Sequence, residues 1–157
     1  MKKQIVLSIA LACSIYGIYK FFESPEKFIL KKTKKIIKLS SLNKEKNKIA
    51  LISKITKYIK YDAKFTANYE GQIYQAQSLN QIRSLIMWYL KEGSTVVLNY
   101  EKLQAHFLDS KKIQAFFLII FRKNKKVFSC EVSLDWLKKE KWLIKKVEIK
   151  NCRVKKQ

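Results

Sequence analysis

Two adjacent stretches near the C-terminus constrain the fold more than any other part of the chain. In "VFSCEVSLDWL" the even positions Phe128, Cys130, Val132, Leu134 and Trp136 are apolar, while Ser129, Glu131, Ser133 and Asp135 are polar. Alternation of that length marks an antiparallel strand with one buried face. After the turn "KKEK" comes "WLIKKVEI", residues 142–149, where the apolar pairs Trp142/Ile144 and Val147/Ile149 are out of phase. One extra residue in an antiparallel strand is a β-bulge, which bends the sheet and restores the inward face beyond it. The chain therefore closes on a bent hairpin, and a bent sheet wraps around something.

Helices upstream supply what it wraps. Ser24-Pro25-Glu26 is a helix start, with Ser as N-cap, Pro at the first helical position and an acid in the first turn. Phe28, Ile29, Lys32, Ile36 and Leu39 follow at helical spacing, and "LSSLNKEKN" breaks the pattern. Ile49, Ile52, Ile55 and Ile59 form a second helical stripe. "AKFTANYEGQIYQAQ" reads as a short strand, a turn at Glu70-Gly71 and extended chain. Ser78-Leu79-Asn80-Gln81 is a capping box that opens a third helix carrying Ile82, Leu85, Ile86, Tyr89 and Leu90, stopped by Gly93. Strands with turns at Asp109–Lys112 and Arg122–Lys126 then lead to the closing hairpin. The expected fold class is α+β: three N-terminal helices packed on a curved, bulged antiparallel sheet, with an apolar N-terminal helix before them.

That leading segment, residues 1–23, runs apolar from Ile5 to Tyr19 between Lys2-Lys3 and Lys20. A cleaved signal peptide could end at Ala10-Leu11-Ala12, and a lipoprotein would begin at Cys13. Both leave an apolar "SIYGIYKFF" at the start of the mature chain. An uncleaved anchor accounts for the whole run, because Gln4 to Phe22 spans about 28 Å as a helix, close to the hydrocarbon thickness. Tyr16, Tyr19, Phe21 and Phe22 then form an aromatic belt. Lysines crowd the C-terminal flank, which argues for a cytoplasmic domain, whereas the signal-like start argues for export, the side we favour. The expected organisation is an apolar membrane anchor or signal-like segment over 1–23, one domain over 24–152 and a basic tail over 153–157.

Charge adds less than its size implies. There are 34 Lys+Arg against 12 Asp+Glu, a formal +22, but only Arg83, Arg122 and Arg153 are arginines. Readers of nucleic acid rely on arginine for bidentate contacts to phosphate and guanine. A lysine-dominated surface weighs against a nucleic-acid partner, and leaves an anionic surface as one alternative.

The order of three helices then long antiparallel strands resembles the nuclear transport factor 2-like superfamily, a cystatin-like α+β cone. The ending Trp142-x-Ile144-Lys145-Lys146-Val147-Glu148-Ile149, the Ser24-Pro25-Glu26 start and the Asp109–Ala115 hairpin carry the resemblance, which covers about residues 24–150. It implies a cone-shaped cavity and often a homodimer through the outer sheet face. Members include isomerases, dehydratases, polyketide cyclases and non-catalytic scaffolds, and fold does not choose among them.

An enzyme of this group places an acid or base inside the cone. The weak catalytic candidates are Asp62, Tyr61 and His106, followed by Tyr69, Asp109 and Glu131. His106 shares its strand phase with Lys102 and Gln104, so it faces solvent. Asp62 is expected in a loop after the second helix, Asp109 fits a turn, and Glu131 lies on a polar strand face. No metal-ligand spacing occurs, and no cofactor is expected. Counting back from the Lys139–Glu140 turn puts Cys130 opposite residues 148–149, so Cys130 and Cys152 are expected to be free thiols. These readings favour a membrane-attached, non-catalytic domain that binds a protein partner or a small apolar ligand, with a small-molecule isomerase or dehydratase as the alternative.

Overall fold

The computed structural model describes residues 24–41, 48–92, 95–123 and 125–155. These form three helices, α1 (Pro25–Ser41), α2 (Lys48–Thr56) and α3 (Leu79–Glu92). The strands are β1 (Ile59–Tyr69), β2 (Gln72–Ala76), β3 (Thr95–Asp109), β4 (Lys112–Lys123), β5 (Lys126–Lys138) and β6 (Trp142–Val154). They make one six-stranded sheet in the order β2-β1-β6-β5-β4-β3. The class is α+β as expected, but the sheet is mixed, not antiparallel, because β1 pairs parallel with β6. Alternation within a strand identifies its buried face and carries no information about which distant strand lies beside it. The apolar segment 1–23 and Gly93 lie outside the described residues, and no described helix is long and apolar enough to cross a membrane.

Local signals act largely where the residue types place them. Ser24 caps α1: its Oγ accepts from Lys27 N–H at 3.4 Å and its carbonyl from Phe28 N–H at 3.1 Å. The core side of α1 is Ile29, Thr33 and Ile37, all buried. In α2 the expected stripe holds only in part. Ile52 and Ile55 are buried, but Ile49 is 72% exposed and Ile59 opens β1. The helix stops at Thr56, and β-branched and aromatic residues then enter the sheet. At α3 the cap spreads over one more residue than a standard box: Gln81 N–H donates to Ser78 Oγ at 3.4 Å, while Gln81 Oε1 accepts from Gln77 N–H at 2.6 Å. At the C-terminal end β6 runs through Val154, and Lys155 N–H donates to the Val127 carbonyl at 2.8 Å.

The inward face of β5 is Phe128, Cys130, Val132, Leu134 and Trp136, each buried. Trp136 and Ile113 are fully buried neighbours across β5 and β4 and anchor a core shared with Ile29, Leu51 and Ile144. The phase slip is a bulge. Trp136 pairs with Ile144 and Asp135 with Lys146, so Lys145 is the extra residue. On the other side of β6, the register with β1 jumps from Ile59↔Ile144 to Lys64↔Lys146, so β1 bulges there as well. Lys145 fastens the two bulges. Its Nζ donates to Asp62 Oδ2 at 2.6 Å and to the Asp62 carbonyl at 3.3 Å.

A second slip follows further along β6. Glu131 pairs with Lys150 but Ser129 with Arg153, leaving Asn151 and Cys152 opposite Cys130. Asn151 takes φ 52°, the left-handed conformation that Asn tolerates better than most side chains. Its Nδ2 donates to Glu131 Oε2 at 2.9 Å. The turn is centred on Glu140, one half-position later than expected, which moves the residue opposite Cys130 from 149 to 150, and the two bulges advance it by two more, so Cys152 comes level with Cys130. The expectation of free thiols is overturned: Cys130 and Cys152 form a disulfide, with Cα atoms 4.1 Å apart.

Candidate functional site

A cavity of about 310 Å³ opens between the concave face of the sheet and the helices. That is the low end of the range for small-molecule sites. Its walls come from Leu51 and Ile55 of α2, Ile82, Leu85 and Ile86 of α3, and Phe65, Ala67, Ile119 and Ile149 of the sheet. Alternation puts these strand residues on the helix side, and α3 presents Ile82, Leu85 and Ile86 at three- and four-residue steps. The Cys130–Cys152 disulfide forms part of the wall. Among the described lining residues the only polar side chains besides these sulfurs are Ser40, Tyr69, Tyr74, Lys123 and the indole of Trp88.

One end of the cavity carries aromatic rings and a cation. Tyr69 ends β1 just before the turn at Glu70 and Gly71, where both residues have positive φ (50° and 78°). Its ring packs 5.2 Å from Phe128 and 5.9 Å from Phe121, and Lys123 Nζ lies 5.0 Å from its centroid. The Tyr69 hydroxyl is buried and makes no well-formed hydrogen bond among the described residues, with the Glu70 carboxylate an acceptor close to it. Burial, reinforced by the charge of the neighbouring Glu70, pushes its pKa up to about 12. The group is therefore a neutral donor throughout the physiological range. Beside it on β2, Tyr74 stacks on Trp88 at 6.0 Å and donates to Gln72 Oε1 at 2.6 Å, so its hydroxyl is already engaged.

The structure does not bring the sequence-derived candidates together. Asp62 lies on β1, not in a loop, between Lys60 (2.9 Å) and Lys145 (2.6 Å). Hydrogen bonds from Lys145 and then Lys60 hold its carboxyl down to about 2. It is an ionised structural clamp outside the cavity lining. Tyr61 is 73% exposed beneath the Lys60 ammonium. His106 is exposed on β3, with Nε2 3.3 Å from Gln104 Oε1. Asp109 caps its turn by accepting from Lys111 N–H at 2.8 Å, which lowers its pKa, and Glu131 accepts from Asn151. Of the six, Tyr69 alone lines the cavity. Sequence reasoning missed Lys123 and the disulfide. The signal for Lys123 was its strand phase, which matches the apolar Phe117, Ile119 and Phe121. No group of three metal-ligating side chains occurs among the described residues.

No protein-family model matches the chain, and no curated protein matches it in sequence. Solved structures do match in shape. A nuclear transport factor 2-like protein of unknown function from Pseudomonas putida superposes with TM-score 0.60 at 9% identity, covering 78% of this chain and 86% of that one. A ketosteroid isomerase-like protein from Parabacteroides distasonis gives 0.57 at 11% identity, covering 81% and 87%. A scytalone dehydratase-like protein from Novosphingobium aromaticivorans gives 0.56 at 11% identity, covering 82% of each. Identities this low speak to architecture and not to chemistry. Helices closing one side of a bent sheet, with a cavity between them, make this chain a nuclear transport factor 2-like fold.

Proposed function

We propose that the chain is a membrane-attached binding domain that holds a small apolar molecule carrying one hydrogen-bond acceptor. The observation that carries this reading is the cavity wall: apolar nearly throughout among the described residues, with a buried donor, the Tyr69 hydroxyl, that makes no well-formed hydrogen bond there and has only the Glu70 carboxylate of its own turn close by. An apolar body gains from leaving water, and an acceptor oxygen at Tyr69 offsets the cost of burying that hydroxyl alone. The apolar run from residue 4 to 22 supports attachment. The disulfide supports placement of the domain on the exported side, since such bonds persist in oxidising compartments.

A second reading, an isomerase or dehydratase, is supported by the names of the similar structures and by the same hydroxyl, which could donate to a developing oxyanion. Against it, no carboxylate or imidazole is found among the described lining residues.

The test compares a medium-chain methyl ketone with the alkane of equal length, in wild type and Tyr69→Phe. Losing one net hydrogen bond should weaken the ketone about five- to tenfold and leave the alkane unchanged. Equal affinity of ketone and alkane in both proteins would remove the acceptor from the proposal. Turnover of either the ketone or a related enone would favour the enzyme.

A further inference from the structure

The outward side of α1 is a stripe of lysines. Lys27, Lys31, Lys34, Lys35 and Lys38 are all exposed, and steps of three and four residues place them on one face. Ile29, Thr33 and Ile37 occupy the opposite, buried face. The helix is about 25 Å long, and Glu26 is the only acidic residue within it.

The stripe continues onto neighbouring elements beside the middle of α1. Lys32, Lys57 and Lys141 converge there from α1, the end of α2 and the β5–β6 turn. Lys32 Nζ lies 4.5 Å from the Phe28 centroid and 5.7 Å from that of Tyr58, and Lys57 Nζ lies 5.3 Å from Tyr58. Burial, then repulsion from Lys141 and Lys57, lowers the Lys32 pKa. Lysines held together around aromatic rings are relieved by an external anion, and Glu140 is the only acid in the adjoining turn.

We propose that this face of α1, with Lys57 and Lys141, docks on the anionic phosphate headgroups of the bilayer. The proposal rests on the membrane attachment argued above. Only Glu23 and Ser24 separate the apolar run that ends at Phe22 from α1, which keeps the stripe within reach of a headgroup layer. Lysines next to a membrane segment are each attracted to anionic lipid strongly enough to matter in number. Their point charges suit a diffuse anionic plane better than bidentate recognition of one phosphate. Docking also fixes the orientation of the domain, which a single tether leaves free.

The experiment reconstitutes the full chain in vesicles of phosphatidylcholine alone or mixed with phosphatidylglycerol. Acetylation rates of individual lysines are read by mass spectrometry. Lys27, Lys31, Lys34 and Lys35 should react about fivefold more slowly on the anionic vesicles and recover in high salt. Lys125 and Lys126 lie at the other end of β5 from Lys141 and should not change. Paired substitution Lys31→Glu and Lys34→Glu on the exposed face should leave the circular dichroism unaltered and abolish the protection of Lys27. Equal rates on both vesicle types would overturn the proposal, as would stronger protection by single-stranded oligonucleotides than by anionic vesicles. Failure to associate with neutral vesicles, with protection retained on anionic ones, would refute the apolar attachment and uphold the headgroup contact.

Discussion

The two bulges of β6 solve one geometric problem by different chemistry. The first, at Lys145, bends the strand beside β1 and is fastened by an ion pair to Asp62, whose side chain is 36% exposed. The second, at Asn151, lies beside the cavity and is fastened by the Cys130–Cys152 disulfide. Each fastening matches its surroundings. A lysine can bridge a bulge where water solvates the charge, whereas the same pair against an apolar cavity would have to be desolvated. A disulfide adds no charge and leaves the wall apolar. The first bulge therefore shapes the cone, while the second also determines what the cone can hold.

Breaking the covalent fastening should have the largest effect. Replacing Cys130 and Cys152 together with Ser removes a cross-link between residues 22 apart, which on chain-entropy grounds is worth about 3 kcal/mol. Thermal unfolding should shift down by roughly 10 °C, and dithiothreitol should do the same to wild type. An unchanged midpoint on reduction would show that the second bulge needs no clamp. The next largest effect should come from Asn151→Val. A β-branched residue at positive φ costs about 1–2 kcal/mol, and the bond to Glu131 is lost as well. Asn151→Gly should be nearly neutral, and thermal denaturation of the pair separates backbone strain from the side-chain bond.

The smallest effect should come from the first bulge. Asp62→Asn should change neutral-pH stability little, because exposed ion pairs contribute little. Its signature is in acid. The Asp62 pKa falls from 3.8 unfolded to about 2 folded. Its contribution is therefore complete above pH 4 and lost as pH falls through about 2. Wild type should lose stability across that window more steeply than Asp62→Asn. Parallel pH profiles would mean that Lys145 and Asp62 do not hold the bulge.

The same contrast explains what could be read from the sequence. The Lys145 slip was legible because Trp142, Ile144, Val147 and Ile149 are apolar on both sides of it, so a change of phase has markers. The Asn151 slip sits in Lys150-Asn151-Cys152-Arg153, where polar residues mark no phase, so counting from the turn leaves the thiols out of register. Asn at a left-handed position was the one available hint. Ile59 fitted the helical spacing of Ile52 and Ile55 but belongs to β1, since spacing does not show where a helix ends. Asp62 could not be placed without the parallel pairing of β1 with β6, which is a long-range contact. The cavity follows from all of these together, so its composition became readable only once the strands had partners.

The most direct test fills the cavity from its wall. Ala67 lies on β1 in the cavity wall and is 8% exposed. The measurement is titration of wild type and Ala67→Phe with an environment-sensitive apolar probe such as phenylnaphthylamine, followed by displacement with a medium-chain ketone. Wild type should bind the probe saturably and one-to-one and release it to the ketone, and an Ala67→Phe variant that still unfolds cooperatively should lose binding. Binding that is equally strong in the folded variant, or that never saturates in wild type, would contradict a binding role for the cavity.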